Sequence, residues 1–278
     1  MDFRKAFVVK AGSKLKLAKI DPANAGEFTS HKKAAEEIQA QVARMDRLQY
    51  LLYADGGQSL LIVLQGLDAA GKDGTIRHLF SGMNPQGTSV ASFKEPSHVE
   101  LAHDFLWRVH SQAPAKGEVM IFNRSHYEDV LVVRVHKLVP RQVWSKRYKL
   151  INEFERLLTA NGTRILKFFL HISPQEQLAR FKQRLDDPSR QWKISESDYS
   201  ERALWPKYMD AYEEALERTS TEQAPWFVIP ANHKWFRDLA ISTIVADTME
   251  EMKLTLPQPR VDLKDIRRRF HAAEKREV

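Results

Sequence analysis

A glycine-rich segment that directly follows an apolar run constrains the fold of this chain more than any other feature. The apolar run is Leu60-Leu61-Ile62-Val63-Leu64, and the segment is Gly66-Leu67-Asp68-Ala69-Ala70-Gly71-Lys72-Asp73. This order predicts a buried strand, a turn and a helix, an arrangement in which backbone N–H groups and the helix N-terminus face an anion. Lys72 adds a positive charge at the same place. The segment therefore predicts a phosphate-binding loop, with a chance glycine-rich turn as the alternative.

The spacing G-x-x-x-x-G-K is that of a Walker A loop, with one departure. Asp73 stands where such loops have the Ser or Thr that holds Mg²⁺, and a second carboxylate, Asp68, lies inside the loop. A carboxylate is tolerated beside phosphate oxygens only when cations lie between them. The loop therefore predicts phosphate chemistry that is bridged by a metal ion.

Five short apolar segments alternate with helical patterns along the chain. The predicted strands are 60–65, 88–93, 118–122, 165–172 and 226–229. The predicted helices are 72–82, 98–112, an extended region 127–160, 174–185, 198–218 and 234–252. This alternation predicts an α/β fold in which a five-stranded parallel sheet is covered by helices on both faces, as a three-layer α/β/α arrangement.

The pattern divides the chain into a catalytic domain with an extension at each end. Apolar residues from Ile38 to Leu52 recur at helical spacing and predict an amphipathic helix within an N-terminal extension, 1–57, whose first thirty residues are irregular. The catalytic domain is predicted over 58–256. A charged helical tail is predicted over 257–278.

Composition narrows the classes of function. The 278 residues are 43% hydrophobic, enough for one large core, and 43 Lys and Arg against 36 Asp and Glu give a net charge of +7, which suits a polyanionic ligand. Because cysteine is absent, disulfides, thiolate metal sites and cysteine nucleophiles are excluded. No apolar stretch approaches the roughly 20 residues that span a bilayer, and no secretory signal opens the chain. We therefore expect a cytoplasmic protein without a membrane partner.

A second polar segment, Asn123-Arg124-Ser125-His126-Tyr127-Glu128-Asp129-Val130, follows the predicted strand 118–122. Ligands of such sheets bind beyond the carboxyl ends of the strands, so this segment and the phosphate loop should converge. The guanidinium of Arg124 can bind phosphate oxygens, and Asp129 can reach a metal shared with Asp68. The alternative is an ordinary capped helix start, and both interpretations can hold at once.

A third segment, 174–193, carries Arg180 and Arg184 four residues apart, which puts both on one helix face. We expect a basic lid, at about 174–200, that closes over substrates and excludes water. A charged, solvated helix face is the alternative.

A further set of basic residues follows the second segment and could bind an extended phosphate polymer, although a solvated face is nearly as good an explanation. The set comprises Arg134, Lys137, Arg141, Lys146, Arg147 and Lys149.

Two other kinds of catalytic motif are absent from the sequence. No two histidines have the spacing of a zinc site, and no G-x-S-x-G supports a serine hydrolase. We interpret the histidines as structural, although His126 lies in the second segment and a phosphohistidine is not excluded.

Together these residues resemble the polyphosphate kinase 2 family, most closely its class III members, which phosphorylate nucleoside mono- and diphosphates. The likeness runs from about residue 30 to 255 and is specific in combination. Its motifs are Gly66-Leu67-Asp68-Ala69-Ala70-Gly71-Lys72-Asp73-Gly74, Lys94-Glu95-Pro96-Ser97, Asn123 to Val130, and Arg184-Leu185-Asp186-Asp187-Pro188 with Trp192-Lys193. Asp73, unusual for a Walker A loop in general, is what this family has.

The resemblance implies a P-loop kinase fold, similar to thymidylate kinase, with a helical lid. It implies reversible transfer of the terminal phosphoryl group of inorganic polyphosphate to ADP or AMP, and also to GDP or GMP. Mg²⁺, or Mn²⁺ in its place, is the implied cofactor. Family members assemble as dimers or tetramers, so a homo-oligomer is expected.

The resemblance also implies roles for individual residues. The catalytic positions are Asp68, Lys72, Arg124 and Asp129, of which Asp68 and Asp129 hold the metal. The phosphate- and nucleotide-binding positions are Gly66, Ala69, Ala70, Gly71, Asp73, Gly74, Asn123 and Glu128. The lid and polyphosphate positions are Arg134, Lys137, Arg180 and Arg184.

Two other classes of function share parts of this pattern. A thymidylate-type kinase that uses ATP has the loop and the lid, but it leaves the carboxylate-rich loop and the long basic set unexplained. A nucleic-acid-binding P-loop protein would account for the positive charge, including Arg267-Arg268-Arg269 in the tail, but no RNA-binding motif supports it.

Overall fold

Five parallel strands form one sheet at the centre of the computed structural model, which describes residues 1–277. The strands are β1 (Ser59–Gln65), β2 (Thr88–Ser92), β3 (Val119–Asn123), β4 (Thr163–His171) and β5 (Trp226–Pro230). Their order across the sheet is β2-β3-β1-β4-β5, and every neighbouring pair runs parallel. All five predicted strands are confirmed, with bounds shifted by one or two residues.

Helices follow or precede each strand, as expected of a parallel sheet. The longer ones are α2 (His31–Asp55), α3 (Lys72–Leu79), α7 (Arg141–Ala160), α8 (Pro174–Asp186), α9 (Glu196–Ala203), α10 (Trp205–Thr219), α11 (Lys234–Glu251) and α12 (Leu263–Glu277). Short ones are α1 (Phe3–Phe7), α4 (His98–Leu101), α5 (Trp107–His110) and α6 (Val132–Val135). Four 3₁₀ turns cover Leu17–Lys19, Pro85–Gly87, His126–Asp129 and Gln191–Lys193.

The core lies in two layers, one on each face of the sheet. Along β1, Leu60, Ile62 and Leu64 face the layer that α2 and α11 cover, whereas Leu61 and Val63 face the layer that α7 and α10 cover. Successive side chains of a strand point to opposite faces, so a strand that is buried on both faces is apolar throughout. The predicted three-layer α/β/α arrangement is confirmed.

Three of the predicted helices are interrupted. The region 127–160 begins within a 3₁₀ turn, continues as the short α6 and restarts as α7 after Pro140, which has extended backbone angles. The region 198–218 is divided at Leu204, and Pro206 lies in the first turn of α10, where its missing N–H is tolerated. The region 98–112 consists of α4 and α5, and Asp104 accepts a hydrogen bond from the N–H of Leu106 just before α5.

The first thirty residues are more ordered than expected. Asp2 caps α1, and Val9 donates to the carbonyl of Trp226, so this segment lies along the outer edge of β5. The predicted amphipathic helix is present as α2, which packs on α11 in the same core layer. Within residues 1–277, no helix is long and apolar enough to cross a membrane.

A buried ion pair joins α7 to β4. The Nζ atom of Lys167 lies 2.6 Å from an Oε of Glu155, and the two side chains are 0% and 2% exposed. Lys167 also donates to the carbonyl of Thr219, and Glu155 accepts from the hydroxyl of Tyr127. His126 lies beside the same carboxylate at 3.3 Å, fully buried, which agrees with its interpretation as a structural residue.

Replacing Glu155 by Gln should lower the free energy of unfolding by about 3–5 kcal/mol, because the ammonium of Lys167 would stay buried without a counter-charge. The double variant Glu155→Gln with Lys167→Met should be more stable than the single variant, since it removes the orphaned charge. Denaturant-induced unfolding measures both.

Glu153→Gln on the same helix is the matched control. Glu153 pairs with Lys149 at 3.7 Å on the surface, where such a pair contributes little. A loss at position 155 no larger than at position 153 would contradict the structural role of the buried pair.

Candidate functional site

Two clefts open at the carboxyl ends of the strands and share Asp68 and Arg124. The larger, about 890 Å³, is called here the basic cleft, and the smaller, about 370 Å³, the carboxylate cleft. The basic cleft contains ten basic residues, which are Lys72, Arg77, Lys94, Arg124, Arg180, Arg184, Arg190, Lys193, Lys234 and Arg237. Only two carboxylates, Asp68 and Asp73, line it. The carboxylate cleft is lined by Glu95, Glu128, Glu201, His136 and the aromatic side chains of Trp205, Tyr208 and Tyr212, among others.

The phosphate loop between β1 and α3 has the backbone that an anion cradle requires. Gly71 has φ of 107°, and a Cβ at this position would come within 1.9 Å of a guanidinium nitrogen of Arg237, so only glycine fits. Lys72 donates to the carbonyl of Gly66 at 2.7 Å and so lies across the loop. Burial lowers the pKa of Lys72 from its ordinary value. The ammonium is therefore held, poorly solvated, at the point where phosphate oxygens would replace the lost water.

Arg180 holds the loop in place from α8. Its Nη1 donates to the carbonyls of Ala69 and Ala70 at 2.8 and 2.9 Å, its Nη2 donates to those of Ala231 and Asn232, and its Nε donates to Glu176. All five N–H donors of the guanidinium are thus used by protein acceptors. The prediction that Arg180 binds polyphosphate needs correction, because its geometry is that of a residue that positions the loop.

Asp73, at the position of the usual Ser or Thr, lies between two polar partners in the basic cleft. Nδ2 of Asn123 donates to one of its oxygens and Nζ of Lys193 to the other, each at 3.2 Å. Burial acts to raise the pKa of Asp73, but the hydrogen bond and charge of Lys193 outweigh it and lower the pKa. Since Lys193 belongs to the segment that is predicted as a lid, this ion pair joins that segment to the loop.

Arg124 stands at the junction of the two clefts. Its φ is 61°, a left-handed conformation that is strained for a residue with a side chain, and its Nη2 lies 3.1 Å from Asp68. Burial alone would lower its pKa, but the carboxylates of Glu128 and Asp68 raise it. The strained turn therefore delivers a permanent positive charge to the point where both clefts meet.

The carboxylate that accompanies Asp68 is Glu128, not Asp129. Glu128 lines the carboxylate cleft with Asp68 and Arg124, and burial raises its pKa although Arg124 and Lys72 act to lower it. Asp129 lines neither cleft, and its oxygen lies 2.8 Å from Nη1 of Arg147. The structure therefore does not bring the predicted metal pair, Asp68 and Asp129, into one cleft, because the 3₁₀ turn directs Asp129 toward α7.

The other predicted basic residues divide between the cleft and the surface. Arg184 lines the basic cleft, near Asp198. Arg134 lines neither cleft; it pairs with Glu214 at 2.6 Å and lies over the ring of Trp144. Lys137 is exposed and also lies outside both clefts. The roles predicted for Arg134 and Lys137 in binding polyphosphate therefore lie outside the two clefts and stay predictions.

Three basic residues of the cleft lie outside the segments and motifs that the sequence indicates. Lys234 and Arg237 lie in the first turn of α11 just after β5, and Arg77 lies on α3 one turn beyond the loop. The sequence could have indicated Lys234 and Arg237, since polar residues that follow a strand in a parallel sheet lie at the ligand-binding edge of that sheet. Arg77 carries no such signal.

Metal ligands are few in this site. Among residues 1–277, no group of three or more His, Asp or Glu side chains could hold a metal ion by itself. Mg²⁺ is commonly bound by one or two carboxylates together with substrate phosphates and water. Asp68 and Glu128, two carboxylates in one cleft beside the phosphate loop, fit an ion whose coordination is completed by substrate.

The family model described as polyphosphate kinase 2 matches residues 28–257. The AMP/ADP-polyphosphate phosphotransferase of Meiothermus ruber is 53% identical over 256 residues, which cover 92% of this chain and 96% of that protein. The ADP-polyphosphate phosphotransferase of Rhodopseudomonas palustris is 46% identical over 267 residues, covering 91% and 92%. A crystal structure of polyphosphate kinase 2 from Arthrobacter aurescens TC1 aligns with a TM-score of 0.94 at 41% identity, covering 98% of this chain and 97% of that one.

Asp129 should make stability depend on pH. Burial raises its pKa to about 6 from 3.8, so the folded chain binds this proton more tightly than the unfolded chain. The stabilisation by that proton is complete below the unfolded value and is lost as pH rises through the folded value. Between pH 4 and 7, wild type should therefore lose about 2 kcal/mol relative to Asp129→Asn, which cannot titrate. Unfolding curves of both proteins at each pH measure the difference, and parallel pH profiles would contradict the assignment.

Proposed function

This chain belongs to the polyphosphate kinase 2 family, and from that membership we propose that it transfers the terminal phosphoryl group of inorganic polyphosphate to AMP and ADP. The relatives named for AMP/ADP and ADP phosphotransfer match it along nearly their whole length. The observation that carries the proposal is the basic cleft, in which ten cations accompany two carboxylates at a Walker A loop. A nucleotide alone does not need so many cations, whereas a phosphate polymer presents a negative charge on every unit.

The two clefts suit two different substrates. The basic cleft would take the polyphosphate chain, with its end at the phosphate loop. The carboxylate cleft has aromatic and hydrogen-bonding side chains, such as Tyr208, whose hydroxyl donates to Glu201 at 2.6 Å, and it suits the nucleoside part of the acceptor. The terminal phosphate of the nucleotide would then meet the polyphosphate end at Asp68 and Arg124.

Transfer at this junction needs positioning and charge stabilisation more than proton transfer. An oxygen of the nucleotide's terminal phosphate forms the new P–O bond, while the bond from the transferred phosphorus to the bridging oxygen of polyphosphate breaks. The attacking oxygen is already anionic, so no strong general base is required. Lys72 and Arg124 offset the negative charge on the transferred group, the main requirement of a loose transition state. Because one anhydride replaces another, the same groups serve the reverse reaction.

Asp68 and Glu128 would hold Mg²⁺, or Mn²⁺ in its place. The ion would supply charge neutralisation between the loop carboxylates and the phosphate oxygens, and orient the phosphates. This role fits the chemistry of the two side chains, which prefer a hard cation and leave coordination positions to substrate.

Three finer features complete the proposal. GDP and GMP are proposed as further acceptors, since the reacting phosphates are the same. The working form is proposed to be a homo-oligomer, and the protein is proposed to act in the cytoplasm, where nucleotides are available.

A kinase that uses ATP as donor is the alternative function, and the named relatives do not favour it.

The donor is tested by incubating the purified protein and Mg²⁺ with polyphosphate as the only donor and one nucleotide at a time. ADP should yield ATP and AMP should yield ADP, and a chelator should stop both reactions. GDP and GMP serve as separate arms. A requirement for ATP when AMP is the acceptor, with no reaction from polyphosphate, would replace this proposal by the ATP-dependent alternative.

Replacing Glu128 by Gln should lower kcat by about 10²–10³-fold, the range expected when a preorganised charge-stabilising group is lost. Asp129→Asn is the matched control, because it makes the same change one residue along, in a carboxylate that faces Arg147. It should keep activity within about tenfold of wild type by the same scale. Circular dichroism should show that both variants are folded. Equal losses of kcat in the two variants would contradict this proposal and indicate that Asp129 is a metal ligand.

A further inference from the structure

The C-terminal helix α12 stands apart from the rest of the molecule. It runs for 15 residues, and every residue from 263 to 276 is exposed except Asp265, which is partly so. Its side-chain ion pairs within the described residues, those of Arg268 and Arg269 with Asp265 and of His271 with Glu274, stay inside the helix. A helix of this length is marginal in water when nothing packs against it. We therefore expect α12 to pack against another molecule and not against the rest of this chain.

One stripe of α12 is apolar. Leu263, Ile266 and Phe270 are 47%, 44% and 59% exposed, and with Ala273 they follow each other at spacings of three and four residues. This is the pattern of positions a and d in a coiled coil, with Leu263 and Phe270 at a and Ile266 and Ala273 at d. We call this stripe the tail seam. An apolar stripe that is two residues wide, with charges on both sides, suits a second helix rather than a flat surface.

The charges beside the tail seam identify the second helix. In a parallel pair, each g position faces the e′ position five residues further along the partner. Asp262 at g then faces Arg267 at e′, and Arg269 at g faces Glu274 at e′, so both positions join unlike charges. An antiparallel pair matches g with g′ and would set Arg269 against the same residue of the other chain. The sequence of α12 is thus complementary to itself in the parallel orientation.

We propose that the tail seam pairs in parallel with the tail seam of a second copy of this chain, about a two-fold axis along the helices. The linker before α12 supports this, because its last contacts with the body are near Met252 and Thr255, at the end of α2, and residues 255–262 are all exposed. The helix is thus free to reach a neighbour. The proposal does not depend on the catalytic function.

Disulfide cross-linking tests the pairing directly, because the chain has no cysteine of its own. In the full-length chain, Leu263→Cys puts a thiol at an a position, which meets itself only in a parallel pair. Ala272→Cys puts one on the opposite face of the same helix and is the matched control. Under mild oxidation at micromolar concentration, Leu263→Cys should form dimer at least about tenfold faster, as for thiols held at millimolar effective concentration. Equal rates of cross-linking would overturn the proposal. The tail seam would then pack against the body of the protein or against a different partner.

Charge exchange provides an independent test on the Leu263→Cys background. Arg269→Glu alone and Glu274→Lys alone each place like charges at positions 269 and 274′, and at the symmetry-related contact of the same pair. Each variant should therefore slow cross-linking. A one-to-one mixture of these two proteins restores unlike charges in the mixed pair, so mixed dimers should exceed the share expected for random pairing. Asp262 is left unchanged, because its side chain accepts a hydrogen bond from the N–H of Lys264 at the start of the helix. A random share of mixed dimers would contradict the parallel arrangement.

Discussion

The guanidinium of Arg180 connects the three chain segments on which the site depends. It binds carbonyls of the phosphate loop after β1, carbonyls of Ala231 and Asn232 after β5, and the side chain of Glu176 on its own helix after β4. A buried guanidinium is stable only when its donors are used, and burial lowers the pKa of Arg180, so each of these acceptors is needed. Because four of the five acceptors are backbone carbonyls, the interaction fixes the path of the chain. The loop thus has its shape before any phosphate arrives, which is the preorganisation that charge-stabilised transfer requires.

The strand order explains why two clefts meet at one point. β1 lies between β3 and β4, and the chain crosses from one side of β1 to the other between β3 and β4. A crevice opens where the connections diverge in this way. The phosphate loop leaves β1 at that crevice, and the segment carrying Arg124 and Glu128 leaves the adjacent β3. On the proposed function, donor and acceptor sites on opposite sides of one loop would follow directly from this topology.

The fold was predictable from the sequence to a greater extent than the site. Strands that are buried on both faces are continuous apolar runs, so β1 and β4 stand out, and glycines mark the loop. The orientation of Glu128 and Asp129 was not predictable in the same way. Which of two adjacent carboxylates faces the loop depends on whether the turn is α or 3₁₀, and periodicity does not distinguish the two over four residues. Arg134 illustrates a second limit, because a basic residue in the sequence does not reveal the partly buried partner, here Glu214, that uses its charge.

The carboxylates inside the basic cleft determine how strongly its surplus of cations can bind a polyanion. Asp68 is bound by Arg124 and Asp73 by Lys193, so two of the cations nearest the loop already have partners within the protein. Phosphate oxygens must compete with these carboxylates for the same donors, and a loop with only cations would bind a polyanion more tightly. Tight binding of the ground state does not accelerate transfer, whereas charge that is released to the transferred group does. On the proposed function, the carboxylates would therefore limit the affinity of the cleft for the polymer and leave a place for a divalent cation between protein and phosphate. On this argument the unusual Asp73 is part of the proposed chemistry, since Ser or Thr at its position would remove the partner that ties Lys193, in the segment predicted as a lid, to the loop.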